Sequence, residues 1–316
     1  MYRKHATILL SAFAATVLLF AGCSKDNPTE ANLTDEEFFN YIATGQDANS
    51  QDLFSTDQDA LDESAQLKAL IPGLLKQGLT PITPIRYGRR IESVSRTVVR
   101  PVTRQGDSIA IAEVQVVFTG KFLIQALSGV DTVIVQKPYT ETIHRSVRFE
   151  RIANTNKPRN NWRLDGVSIL NGGTANPVLS ITSVEVVTPS QTFLVTDPDA
   201  YWMQIDRWWL RHMPVLNNVA VTVRVTVQSA QPDSDIVTLH KQPGTFGLHH
   251  EPFLLVSSTP NGTGYARVYE KSWTLSGKAR KYAHFMVSAT TRESLFDNAT
   301  TNFSSVVWGI PYKPAE

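Results

Sequence analysis

The chain has 316 residues, 42% of them hydrophobic, with 30 basic residues against 29 acidic ones and 17 each of Gly and Pro. That length accommodates two domains of ordinary size, and the near-zero net charge gives no global case for a nucleic-acid or anionic-surface partner. Average Gly and Pro content excludes a collagenous or low-complexity architecture, and no internal repeat recurs at a fixed period.

Residues 1–5 carry Arg3 and Lys4, and residues 6–20 form an uncharged apolar and small run. That run is shorter than the roughly 20 residues needed to cross about 30 Å of hydrocarbon. A positive start, an apolar stretch and small residues at its end make residues 1–22 a signal peptide. The stretch closes on Leu19-Phe20-Ala21-Gly22-Cys23, which resembles the lipobox of bacterial lipoproteins. The resemblance implies cleavage before Cys23 and lipidation of its thiol and new amino group. Three acyl chains, at about 0.8 kcal/mol per buried methylene, anchor a chain firmly. Cys23 is the only cysteine, so no disulfide forms within the chain. Removal of Arg3 and Lys4 leaves 28 basic against 29 acidic residues. Residues 23–32 then form a polar tether, and Ser24, where an Asp would favour the inner membrane, points to the outer one.

Charge is unevenly placed. Residues 24–70 hold two basic and eleven acidic residues, and residues 83–170 hold fourteen basic and seven acidic. The expectation is that an acidic helical segment packs on a basic sheet, with an anionic-ligand site as the alternative. Thr34-Asp35-Glu36-Glu37 is a capping box, followed by the aromatic stripe Phe38, Phe39, Tyr41 and Ile42. Leu61, Ala65, Leu67, Leu70, Leu74 and Leu75 predict a second helix over 57–77, interrupted by Pro72.

Beyond Pro84 the hydrophobic period becomes two. Strands are expected over 90–102, 108–118, 121–126, 130–135, 140–152 and 162–169. Helices followed by an antiparallel meander predict an α+β domain over 33–170. The hairpin from Val147-Arg148-Phe149-Glu150-Arg151 to Trp162-Arg163-Leu164-Asp165-Gly166-Val167-Ser168 resembles the last hairpin of NTF2-like or cystatin-like domains. That resemblance implies a curved sheet wrapped around a helix, with a conical pocket. Arg90, Arg96, Arg100 and Arg104 share even parity, as does Arg86, so an unbroken strand presents them on one face, where guanidinium groups suit a carboxylate or phosphate. An enzyme of the NTF2-like type would use an acid–base pair, for which Glu141, His144 and Asp165 are the candidates.

Asn171-Gly172-Gly173-Thr174-Ala175-Asn176-Pro177 reads as a linker. Residues 178–316 then repeat short strands at 178–187, 192–195, 219–227, 236–240, 253–257, 265–275, 281–290 and 306–312. About seven strands separated by turn residues predict an all-β sandwich, and the pattern resembles the immunoglobulin-like domains of bacterial surface proteins. Asp197-Pro198 reads as a helix start. Trp208 and Trp209 follow it, as either a packing plug or a carbohydrate platform. His249-His250-Glu251, with His240 nearby, lacks metal-ligand spacing, so no metal and no cofactor is expected. No nucleophile elbow, zinc-protease, P-loop or dinucleotide motif is present.

The expectation is a lipid-anchored, non-enzymatic binding or assembly protein of the cell envelope. Its partners would be the membrane through Cys23 and another envelope protein or a glycan. The alternatives are a pocket hydrolase or isomerase, or a carbohydrate-binding surface protein.

Overall fold

The structure is a computed structural model that describes residues 33–46, 61–62, 68–69, 81–99, 102–206, 209–210, 214–215, 220–244, 247–274 and 283–314. Helix α1 (Asp35–Ala43) opens it. The capping box forms as its sequence requires: Glu37 N donates to Thr34 Oγ1 at 3.3 Å, and Thr34 N donates to Glu37 Oε2 at 2.7 Å. Strands β1 (Lys68–Ala69), β2 (Thr83–Val98), β3 (Thr103–Gln105), β4 (Ile109–Ser128) and β5 (Asp131–Arg151) follow. Then come α2 (Pro158–Asn161), β6 (Trp162–Ser168), β7 (Leu170–Thr174), β8 (Leu179–Val187) and β9 (Thr192–Val195). After short strands β10 (Trp202–Asp206), β11 (Trp209–Leu210) and β12 (Pro214–Val215) run β13 (Ala220–Ser229), β14 (Ile236–Gly244), β15 (Gly247–Pro252), β16 (Leu254–Asn261) and β17 (Gly264–Thr274). The chain ends with β18 (Ala283–Thr290), α3 (Arg292–Phe296) and β19 (Ser305–Pro314).

This overturns the expected α+β domain followed by a separate immunoglobulin-like sandwich. The molecule is mostly strand, and its described helices have nine, four and five residues. Of the expected helix over 57–77, most lies outside the described residues, and Lys68–Ala69 is a strand. One fourteen-stranded antiparallel-dominated sheet, in the order β1-β2-β4-β5-β7-β19-β18-β14-β15, runs through both halves of the chain. The expected linker is its seam: β7 pairs with β5 on one side and with β19 on the other. Glycine makes that seam possible. A Cβ at Gly172 would lie 2.2 Å from Thr142 O, and one at Gly173 would lie 2.2 Å from Ser305 O, so backbones meet where side chains cannot fit.

A second sheet, β16-β17-β13-β8-β9, packs on one face of the first. Val221, Val223, Val225 and Val227 alternate inward from β13. They meet Val237, Leu239, Phe285, Val287, Val306 and Trp308 of the large sheet in one core. The opposite face of β18 and β19 contributes Met286 and Val307 to a second core, with Phe118, Val147, Phe149 and Trp162 and with Phe38 and Phe39 of α1. A third core closes the far end, where Leu295 and Phe296 of α3 sit on Tyr87, Phe122, Tyr139 and Ile236. The large sheet is therefore curled, with its β2 and β14 regions brought face to face. The outcome follows from twenty-residue strands: β4 alternates buried and half-buried positions almost without interruption, and strands that long twist and coil.

Candidate functional site

The arginine row does not survive folding. Arg90 pairs in register with Lys121 and Arg96 with Val116, because the register shifts between Ile91 and Ser93. One extra residue reverses the facing of everything beyond it. Arg90 therefore lies on the outer face, where Glu92 bridges its guanidinium at 3.0 Å and Lys121 at 3.3 Å. Arg90 and then Lys121 hold the Glu92 carboxyl below its ordinary pKa. Arg96 lies half-buried on the inner face. Arg104, on β3, ion-pairs with Asp35 and Glu36 at 3.4 and 3.2 Å, so the acidic helix does pack on the basic sheet. Its guanidinium also covers Phe39 and Trp162 at 5.4 and 5.2 Å.

The expected acid–base trio is split as well. Glu141 is buried on the inner face of β5, and His144 lies half-buried on the outer face. Asp165 Oδ2 accepts from Arg148 Nε at 2.6 Å. Asp197 forms its predicted cap contacts, accepting from Asp199 N and Ala200 N at 3.0 and 3.3 Å. The chain then continues as strand β10 rather than as a helix. Cys23, Arg100 and Trp208 lie outside the described residues. Trp209 is in β11, opposite Asp206.

The structure gathers a different set, centred on Arg89. Its Nη2 donates to Glu141 Oε1 at 3.1 Å and to Ser305 Oγ at 2.7 Å. Its Nη1 stands 3.3 Å from His240 Nε2, which is 2.7 Å from Ser288 Oγ. Arginine only donates, so His240 Nε2 is an acceptor here and the ring proton belongs on Nδ1. Five strands meet at these five residues: β2, β5, β14, β18 and β19. Sequence parity missed Arg89 because it is odd-numbered, and the even row looked more regular. Beside the cluster, Tyr87, Phe122, Ile236, Thr238, Thr290 and Leu295 help enclose a void of about 10 Å³. That space holds about one water molecule, not a substrate.

Two more buried ionisable groups flank the cluster on the same interior. Lys137 donates to Glu293 O and Asn302 O at 3.2 and 3.1 Å, pinning α3 and the loop after it over the end of the curl. Burial lowers its pKa to about 8, against the opposing pull of Asp297 and Glu293. His284 is fully enclosed; burial, and then the charge of Arg145, push its pKa well below the ordinary value.

A separate ion pair ties the crossover between the sheets. Arg267 Nη1 donates to Asp235 Oδ2 at 2.9 Å, and Nη2 donates to the carbonyls of Gln231 and Pro232 at 2.6 and 2.8 Å. Burial raises the Asp235 pKa against hydrogen bonds from Ser229 and Arg267.

For the histidines noted in sequence, the β14–β15 ladder sets His250 opposite His240 and His249 opposite Lys241. Glu251 is engaged by Lys271 Nζ at 2.8 Å. Among the described residues, no three His, Cys, Asp or Glu side chains group as a metal site, and no helix is long and apolar enough to cross a membrane. These interior contacts fasten strands to one another: a charged group withdrawn from water is stabilised only by such hydrogen-bonded partners. No protein-family description, curated protein or solved structure matches this chain.

Proposed function

We propose that this chain is a lipid-anchored protein of the bacterial cell envelope whose folded part binds or assembles rather than catalyses. The observation that carries the reading is Leu19-Phe20-Ala21-Gly22-Cys23, in which the chain's only cysteine follows an uncharged apolar run and two small residues. The fold supports the second half of the reading. Glu141 and His144 lie on opposite faces of β5, Asp165 is engaged by Arg148, and the Arg89 cluster is closed by the strands it joins, with side-chain exposures of 3% for Arg89 and 1% for Glu141.

The test is to express the full chain in a diderm bacterium supplied with a labelled fatty acid. Label should enter the chain, and the protein should sediment with membranes. The Cys23→Ser variant should carry no label and be recovered in the soluble fraction. A Cys23→Ser protein that still sediments with membranes would overturn the anchor.

A further inference from the structure

β2 follows β4 of the β4–β5 hairpin as far as Leu127, but the strands on the β5 side stop well short of the turn. The hairpin's ladder runs without a bulge from Ile109 opposite Glu150 to Ser128 opposite Asp131. Gly129, at φ 64, and Val130 form the two-residue turn that such hairpins favour. On its other side β5 meets β6 over Val147–Arg151 and β7 over Glu141–His144. Among the described residues nothing pairs with that side of β5 between Asp131 and Thr140.

In a two-residue hairpin the flanking pair, here Ser128 and Asp131, exchanges both backbone hydrogen bonds. The odd residues of β5 therefore bond to β4, and Thr132, Ile134 and Gln136 turn their amides and carbonyls to the open edge. Natural edges are guarded by charge or proline. Here Asp131 and Pro138 stand at the ends of the stretch, and Thr132-Val133-Ile134-Val135-Gln136 between them is uncharged and rich in β-branched residues. Ile134 is 69% exposed and Val130 95%.

From this edge we infer that two copies of the chain join by antiparallel pairing of β5 with β5, about a two-fold axis at Ile134. The stretch is complementary to itself in that register. Ile134 meets Ile134 of the second copy, Val133 meets Val135, and Thr132 meets Gln136. Just beyond, Asp131 stands opposite Lys137 and Val130 opposite Pro138. Every pair is apolar with apolar, polar with polar, or acid with base, and no like charges oppose each other. Lys137 is fully buried and keeps its amine on Glu293 O and Asn302 O, so the Asp131–Lys137 pair adds no charge attraction across the axis and the match rests on residues 132–136. Other registers forfeit this match: a shift by one residue sets Ile134 against a valine of the other face. A two-fold contact of this kind closes at two copies and does not propagate. The contact is a single pair of short strands, so the dimer should be concentration-dependent.

The inference rests on the sheet edge alone and stands or falls separately from the anchor at Cys23. Its test is the mass of the full chain in detergent solution, followed by sedimentation equilibrium over a range of concentrations. The unmodified chain should pass from monomer to dimer. Residue 134 meets itself across the axis, so Ile134→Lys and Ile134→Glu should each remain monomeric with unchanged circular dichroism, and an equimolar mixture of the two should dimerise. A chain that is monomeric throughout, single variants that still dimerise, or a mixture that stays monomeric would each overturn it.

Discussion

At the scale of single residues, the interior is organised by charges that have no access to water. Arg89 and Glu141 are a buried pair, and removing one member of such a pair leaves the other uncompensated, at a cost of about 3–5 kcal/mol. Arg89→Met and Glu141→Gln should each lower the unfolding free energy by that order in urea titration. The double variant Arg89→Met, Glu141→Gln should lose less than the two single losses combined, because no orphan charge remains. Strict additivity would show that the pair is not coupled.

His284 makes a pH-dependent contribution of known sign. Its folded pKa lies well below its ordinary value because burial, and then Arg145, disfavour the imidazolium. The unfolded chain therefore binds the proton first, at about pH 6.5. The contribution to stability is fully present above that pH and is lost as pH falls toward the folded pKa, at up to about 1.4 kcal/mol per pH unit. Replacing His284 by Gln should remove this part of the slope between pH 6.5 and 5. Unfolding midpoints of the two proteins over that window give the comparison, and parallel slopes would exclude His284 as the source.

At the scale of elements, sequence periodicity located most of the strands, because alternation over β4, β5, β13 and β18 is a direct consequence of one buried face per strand. The N-terminal capping box was legible for the same local reason: Thr34 and Glu37 need only each other. What parity could not carry was register. The irregularity between Ile91 and Ser93 is invisible in composition, yet it sends Arg90 outward and Arg96 inward and leaves Arg89 as the residue that enters the core. Gly172 and Gly173 misled in a different way. Glycine marks flexible linkers and also close backbone approaches, and only the positions of Thr142 O and Ser305 O distinguish the two cases. The candidate interior site was illegible because its members come from β2, β5, β14, β18 and β19, up to 216 residues apart in the chain.

At the scale of the molecule, the decisive feature is that the large sheet does not stop at the boundary composition suggests. β7 joins β5 to β19, and Arg89 of β2 reaches Ser305 of β19 and His240 of β14. The core behind α1 contains Met286 and Val307 from the C-terminal half beside Phe118 and Phe149 from the N-terminal half. The core between the two sheets is built almost wholly from the C-terminal half, but the cores around α1 and around Tyr87 take Met286, Val307, Ile236, Leu295 and Phe296 from it, so the N-terminal half cannot close its own interior alone. Two independent domains would unfold in two steps, whereas shared strands and a shared core couple the halves into one cooperative unit. Thermal unfolding followed by far-ultraviolet circular dichroism and by tryptophan fluorescence should therefore give coincident single transitions, with Trp162 reporting the α1 side and Trp273 and Trp308 the sandwich side. A chain ending at residue 177 should expose the edge of β7 that β19 occupies, and should be recovered aggregated or unfolded. If that fragment instead folds cooperatively with the unfolding midpoint of the intact chain, the halves are autonomous and the continuous sheet is not what stabilises them.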